Sequence, residues 1–347
     1  MRICAVLLCA MLCWPVLAQG ADVPAAPAAL PEAPKAPDKP ETPPVKPEEK
    51  TVETPPDGCT IEKFAILSPS MKRDIKVAVV LPPEYAAKPE ARYPVLYTMH
   101  GMGAPYATFS DMAPLRKTLR DRPMIVTCFD GDRAGFYIDS TQKADSKFTT
   151  FMFDEFMPYV DGHYRTNGLK GATGFSMGGY GAFHYMLTRP EAFAGISSLS
   201  GAFSMLGERS GKPNGSLVTL LGPFEENKAE YLKRGIYNRL EECVAKGVKL
   251  PPMFLACGTE DGLLEENRKF VAFLMEQNKK LKEKPAEAAP AGPDGRGTGM
   301  VLTFRYQESP GGHNWTYWRD ASAAIADFHW RAFQEALAAR EAAAPIK

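Results

Sequence analysis

Apolar positions along the chain fall into two kinds of run, and their alternation predicts the architecture. Across 72–81, Ile75, Val77 and Val79 alternate with other residues; with 60–67 this predicts a strand pair leading into the folded domain. The stretches 93–99, 124–129, 193–199, 253–257 and 301–306 are short and nearly continuous in apolar residues, the form taken by strands buried on both faces. Between them, 114–120, 148–159, 263–281 and 321–339 carry apolar residues at helical spacing, and a further helix is expected from Ala182 onward. Strands alternating with helices predict an α/β chain whose mostly parallel central sheet is covered by helices on both faces. The mixed, partly helical stretch 204–250 is expected to supply a small cover. In such a sheet ligands bind beyond the carboxyl ends of the strands. His100, Asp130, Ser176, Gly201, Asp261 and His313 all fall at such ends.

The remaining stretches differ in composition. Residues 1–18 read as a signal peptide: Arg2 is the sole charge, 3–12 are apolar, and Val16-Leu17-Ala18 offers a small-residue exit with cleavage after Ala18. That run is too short for a stable membrane span, and no small residue precedes Cys9 or Cys13 as a lipid-anchor signal requires. Residues 19–58 read as a Pro/Ala-rich disordered linker. Eleven of the 31 prolines lie within 21–56, so this segment cannot bury enough apolar surface to offset its ordering entropy. The domain itself is placed at 59–347, interrupted by a low-complexity surface insertion at 283–299. These features predict a secreted, periplasmic or cell-surface protein. With 41 basic and 41 acidic residues, no electrostatic case exists for nucleic acid or an anionic membrane as partner. Four cysteines remain after the signal. Cys128 and Cys257 lie in strand-like runs as ordinary buried thiols, whereas pairing of Cys59 with Cys243 stays open, as does oligomeric state. The cysteine spacing matches neither a disulfide scaffold nor a zinc site.

The chemistry centres on Gly174-Phe175-Ser176-Met177-Gly178, a G-x-S-x-G placed between a strand and a helix. Such a turn holds its serine in strained geometry above the sheet edge, and glycines let strand and helix crowd against it. Serine becomes a nucleophile only when a base takes its proton and a carboxylate orients that base. His100 and His163 precede the serine, His184 lies in the helix behind it, and His329 sits mid-helix. His313, in a Gly-rich turn after the last strand, is the base by elimination. Asp261 follows the strand at 253–257 and is the expected acid, with Glu260 its competitor. Asp130 and Asp132 precede the serine and read as loop-capping residues. Two donors are needed for an oxyanion: the N–H of Met177 and one from the His100-Gly101-Met102-Gly103 loop, Met102 first and Gly103 as the alternative. Activity should fall on the acid side of the base's titration.

Gly174-Phe175-Ser176-Met177-Gly178-Gly179, the His100-Gly101 loop, Gly258-Thr259-Glu260-Asp261 and Gly312-His313-x-Trp315-x-x-Trp318 together resemble the putative-esterase (esterase D-like) family of α/β hydrolases. That family includes S-formylglutathione hydrolases, mycolyltransferases, and the feruloyl and acetylxylan esterases of carbohydrate esterase family 1. The resemblance covers about 60–339. It implies the α/β-hydrolase fold, Ser176 as nucleophile with Asp261 and His313 as partners, and neither metal nor organic cofactor. Gly135 to Ser140 is similar to the family's aromatic–Tyr–x–Asp segment near the site. Tyr137 and Trp315 are accordingly expected at the substrate, along with His100, whose side chain reads as structural rather than catalytic. The expected activity is hydrolysis of feruloyl or acetyl esters on polysaccharide. Short-chain ester or thioester hydrolysis, acyl transfer to a sugar, and glycan binding without catalysis are the alternatives. Asn314-Trp315-Thr316 is formally a glycosylation sequon, but a glycan there would obstruct the base, so it is read as unused.

Overall fold

The computed structural model describes residues 50–283 and 301–343. The segment read as a signal peptide, most of the linker and nearly all of the 283–299 insertion lie outside the described residues. Nine strands form one sheet: β1 (Thr51–Glu53), β2 (Thr60–Ser68), β3 (Arg73–Leu81), β4 (Tyr93–Met99), β5 (Ile125–Phe129), β6 (Thr166–Phe175), β7 (Gly195–Leu199), β8 (Met253–Gly258) and β9 (Phe304–Ser309). Their spatial order is β1-β2-β3-β5-β4-β6-β7-β8-β9. The first three run antiparallel and β3 joins β5 antiparallel, while β5, β4, β6, β7, β8 and β9 are mutually parallel.

Continuous apolar runs became central strands because both faces are covered. Every residue of β4, β5, β7 and β8 is buried. Side chains alternate between two apolar clusters, one per face: Val95, Tyr97 and Met99 enter one, and Leu96 enters the other with Phe175, Phe254 and Ile325. The helical stretch 148–163 is π-helical over Phe151–Phe156. Its wider turn brings residues five apart onto one face, and Phe151 stacks on Phe156 at 5.6 Å.

Three boundaries differ from the sequence reading. Thr51–Glu53, read as linker, pairs with β2 as an edge strand. Asp57 is likewise part of the folded body, its carboxylate 2.8 Å from the Arg116 guanidinium with both side chains largely buried. The last strand is Phe304–Ser309 rather than 301–306, because Asn278 takes both backbone groups of Leu302 and leaves the register with β8 to begin at Phe304. The closing helix, Trp315–Ala342, starts six residues before 321, since the Asn314 side chain caps it by accepting from the Tyr317 N–H at 3.1 Å. Cys59 and Cys243 are both free and pack against opposite apolar clusters, which answers the open pairing in the negative.

Candidate active site

β6 ends at Phe175 and the next helix, Met177–Thr188, starts two residues later, so Ser176 alone makes the turn. Its φ of 56° and ψ of −120° are a conformation that L-residues avoid, costing about 1–3 kcal/mol. Four backbone hydrogen bonds hold it there. Ser176 N–H donates to Leu199 O at 3.0 Å, and Ser176 O accepts from the N–H groups of Gly179, Tyr180 and Ala202. The flanking glycines are sterically required. A Cβ on Gly174 would lie 2.3 Å from the Gly178 carbonyl, and one on Gly178 would lie 2.0 Å from Met99 O.

The three side chains assigned from sequence meet at this turn. His313 Nε2 lies 2.9 Å from Ser176 Oγ, and His313 Nδ1 lies 3.0 Å from both carboxylate oxygens of Asp261. The Asp261 side chain is fully buried while that of His313 is partly open to solvent. Burial pushes the Asp261 carboxyl up, but hydrogen bonding from His313, the Ser200 hydroxyl and the Leu263 N–H outweighs it, and the net direction is downward. The Leu263 N–H donates to Asp261 Oδ1 at 2.7 Å. Glu260, the competitor, is exposed and lines a different cleft, with Gln307 and Asp320. Asp130 accepts from the Asp132 N–H, and Asp132 pairs with Arg73, the capping roles read from sequence.

The cleft at Ser176 has a volume of about 730 Å³, and Met102, Phe175, Ser204, Met205, Glu266 and Trp318 are among its lining residues. Residues from the 204–250 stretch, including Lys212 and Asn214, form part of its wall. Met102 is exposed at its mouth. The Gly103 N–H is already engaged by Arg133 O at 2.8 Å, so of the two loop donors only that of Met102 is free of a protein acceptor among the described residues. The Met177 N–H opens the elbow helix and also meets no acceptor there.

Three sequence-assigned substrate contacts are corrected. His100 is 2% exposed and absent from the cleft. Its Nδ1 lies 2.8 Å from Gly101 O, and its Nε2 accepts from the Gly131 N–H at 3.0 Å. These partners imply the Nδ1–H tautomer, and burial lowers the imidazole's pKa. Tyr137 is fully buried, its hydroxyl donating to His100 O at 2.8 Å, so the two residues brace the loop carrying Met102 from behind. Trp315 is 40% exposed and does not line the cleft. Being the first helical residue it points off the site, and Trp318, nearly one turn on, leans back over it. Trp318 stands perpendicular to His313 at 4.9 Å and stacks on Phe175 at 4.3 Å. The Gly312-His313-x-Trp315-x-x-Trp318 spacing carried that signal, because a side chain three residues into a helix covers its N-terminal turn.

The remaining histidines are structural. His184 is buried between Thr149 and Arg239, and His163 lies 2.9 Å from Tyr159 O. His329 is fully buried against Ser197 and, through burial, has a pKa lowered to about 3.

Comparison with known proteins decides the family. A family model described as "Putative esterase" matches residues 68–338. The chain belongs to this esterase family. Among curated relatives, esterase Rv1288 of Mycobacterium tuberculosis is 34% identical over 136 residues, which is 37% of this chain and 29% of that protein. The match therefore spans less than a third of that relative's length. An acetyl esterase of Caldicellulosiruptor saccharolyticus is 24% identical over 286 residues, covering 74% of this chain and 93% of the relative. Among solved structures, an S-formylglutathione hydrolase from Agrobacterium tumefaciens superposes with a TM-score of 0.64 at 20% identity, covering 82% of this chain and 99% of that one. The chain thus shares the α/β-hydrolase fold, with β1 at one edge of its sheet.

Proposed function

We propose that this esterase is a serine carboxylic-ester hydrolase that forms an acyl-enzyme on Ser176. The observation carrying this reading is the unbroken array Asp261–His313–Ser176, with contacts of 3.0 and 2.9 Å, at the floor of an open cleft. Ser176 Oγ attacks the ester carbonyl carbon as its proton passes to His313 Nε2. The resulting oxyanion takes hydrogen bonds from the N–H groups of Met177 and Met102. His313 then returns the proton to the departing alkoxide, and the alcohol leaves. Water enters, loses a proton to the same nitrogen and attacks the acyl carbon; the carboxylic acid departs and Ser176 recovers its proton. Asp261 keeps the imidazole in the Nδ1–H tautomer and stabilises the imidazolium formed in each half-reaction.

The proposed substrate is an acetyl or feruloyl ester of a polysaccharide. Among the lining residues, Met102, Ala104, Phe175 and Trp318 suit a short or aromatic acyl group, and Ser204, Lys212, Asn214 and Glu266 suit a hydroxylated alcohol. The acetyl esterase aligned along most of this chain supports the acetyl choice. Residues 1–18, with their signal-like composition, support action outside the cytoplasm, where polymeric substrate lies. The test is a panel of acetyl, butyryl and feruloyl esters on sugar and simple alcohols. Release of acetate or ferulate from acetylated or feruloylated xylan, lost in Ser176→Ala, is the expected result. Cleavage of simple aliphatic esters with none from either xylan would overturn the substrate assignment. Equal inertness of wild type and Ser176→Ala on activated esters would overturn the activity itself.

A further inference from the structure

His313 sits on a Gly-rich turn rather than on a strand or helix, with Gly311 at a φ of 137°. Ser176 and Asp261 fix two corners of its imidazole but do not by themselves fix the ring plane. One side chain supplies what they lack. The Trp318 indole stacks at 16° on Phe175, the residue before Ser176, and stands at 88° to the His313 ring. Its N–H donates to Ser200 Oγ at 3.1 Å. Because an indole nitrogen only donates, Ser200 is obliged to accept, which leaves its own proton for another partner. Hydrogen bonding from the Ser200 hydroxyl is among the influences that lower the pKa of buried Asp261, which makes that carboxylate the partner for the proton. The neighbouring Cys257 thiol, pushed up to about 12 mainly by burial, is neutral and the weaker acceptor. Ser200 also occupies a left-handed conformation, φ 50°, at the end of β7. That is a costly choice for a non-glycine residue, and packing alone does not call for a hydroxyl there.

We propose that Trp318 is a positioning residue, setting the His313 ring in the plane that joins Ser176 to Asp261 and turning the Ser200 hydroxyl proton toward the Asp261 carboxylate. The assignment rests on the hydrolase reading above. It treats Trp318, Ser200 and the Asp261–His313 pair as one cooperative unit, so Trp318 acts on the rate through His313 while also forming a wall of the cleft. The binding and aligning roles separate chemically: Trp318→Phe keeps an aromatic ring against Phe175 while losing the N–H and part of the indole's area, and Ser200→Gly tolerates the left-handed backbone while losing the CH2OH side chain.

The experiment measures kcat and KM on 4-nitrophenyl acetate for the full chain and for Trp318→Phe, Ser200→Gly and the double variant, with Trp315→Phe as a control outside the network. Trp318→Phe and Ser200→Gly should each lower kcat about tenfold, the rate equivalent of one hydrogen bond made in the transition state, with KM within about twofold of wild type. The double variant should be no slower than the slower single, because both changes break the same chain. Trp315→Phe should match wild type. An unchanged kcat in Trp318→Phe, a change confined to KM, or losses that multiply in the double variant would overturn the proposal. Should Trp318→Phe melt below the assay temperature, Ser200→Gly decides alone: a kcat at the wild-type level overturns it. Esterase activity surviving in Ser176→Ala would instead sink the hydrolase reading, a failure visible without reference to Trp318.

Discussion

Replacing Asp261 by asparagine tests the array at the point where shape and charge separate. The two side chains have the same outline, so packing is preserved and the hydrogen-bond pattern alone changes. The Leu263 N–H points at Oδ1 from 2.7 Å and requires an acceptor there. In Asp261→Asn the new amide oxygen would take that place, leaving the NH2 where Oδ2 now stands, 3.0 Å from His313 Nδ1. Nδ1 is 3.0 Å from the Oδ1 position as well, but the amide oxygen there already accepts from Leu263, so the NH2 donor favours an unprotonated Nδ1 and moves the ring proton to Nε2, the atom facing Ser176 Oγ at 2.9 Å. A protonated Nε2 cannot accept the serine proton. Exchanging one charge-assisted hydrogen bond for a mismatch costs about 3 kcal/mol, near a hundredfold in rate. Losing the negative charge beside the developing imidazolium adds to that. Together they place the fall in kcat at about three to four orders of magnitude, the scale such a change produces in serine hydrolases of other folds. KM on 4-nitrophenyl acetate should move little, and the thermal midpoint should hold within a few degrees. A loss under about tenfold, or a larger loss in Glu260→Gln, would refute the assignment of the acid.

Two further outcomes follow from the packing. Gly178→Ala places a Cβ 2.0 Å from Met99 O, so β4 and the elbow helix must part by roughly 1 Å; kcat/KM should fall about a hundredfold, and an alanine variant with wild-type kinetics would contradict the close approach. His329 is held neutral by burial, with a folded pKa of about 3 against about 6.5 unfolded. Between those values the unfolded chain binds the extra proton, so this residue makes stability fall as pH drops. The loss is about 2 kcal/mol from pH 6.5 to 5. Chemical denaturation across that range should show a shallower decline for His329→Gln than for wild type, and parallel curves would count against it.

The parts of this molecule legible in sequence are those governed by local rules. Central strands show as unbroken apolar runs because both their faces are covered. Ser176, Asp261 and His313 could be named because each follows directly on a strand end or a Gly-rich turn, so chain order alone placed them at one rim. What escaped depends on contacts between distant elements. Thr51–Glu53 is exposed and compositionally indistinct from the linker; only its pairing with β2 makes it a strand. The start of β9 is set by Asn278, on a helix separated from it in sequence by the insertion. Tyr137 and His100 carry polar groups that suit a substrate, yet both spend them on backbone atoms, of the Met102 loop and of Gly131 after β5. Trp315 and Trp318 differ by three positions, and which of them covers the base follows from where Asn314 starts the helix.

The account depends on Ser176 being the one hydroxyl activated for attack on a carbonyl. Incubating the protein with a fluorophosphonate and locating the adduct by peptide mass spectrometry measures this directly. A single adduct on Ser176, formed far more slowly in His313→Ala and absent in Ser176→Ala, is the predicted result. Labelling at another residue, or labelling of Ser176 at the same rate when His313 is gone, would contradict it.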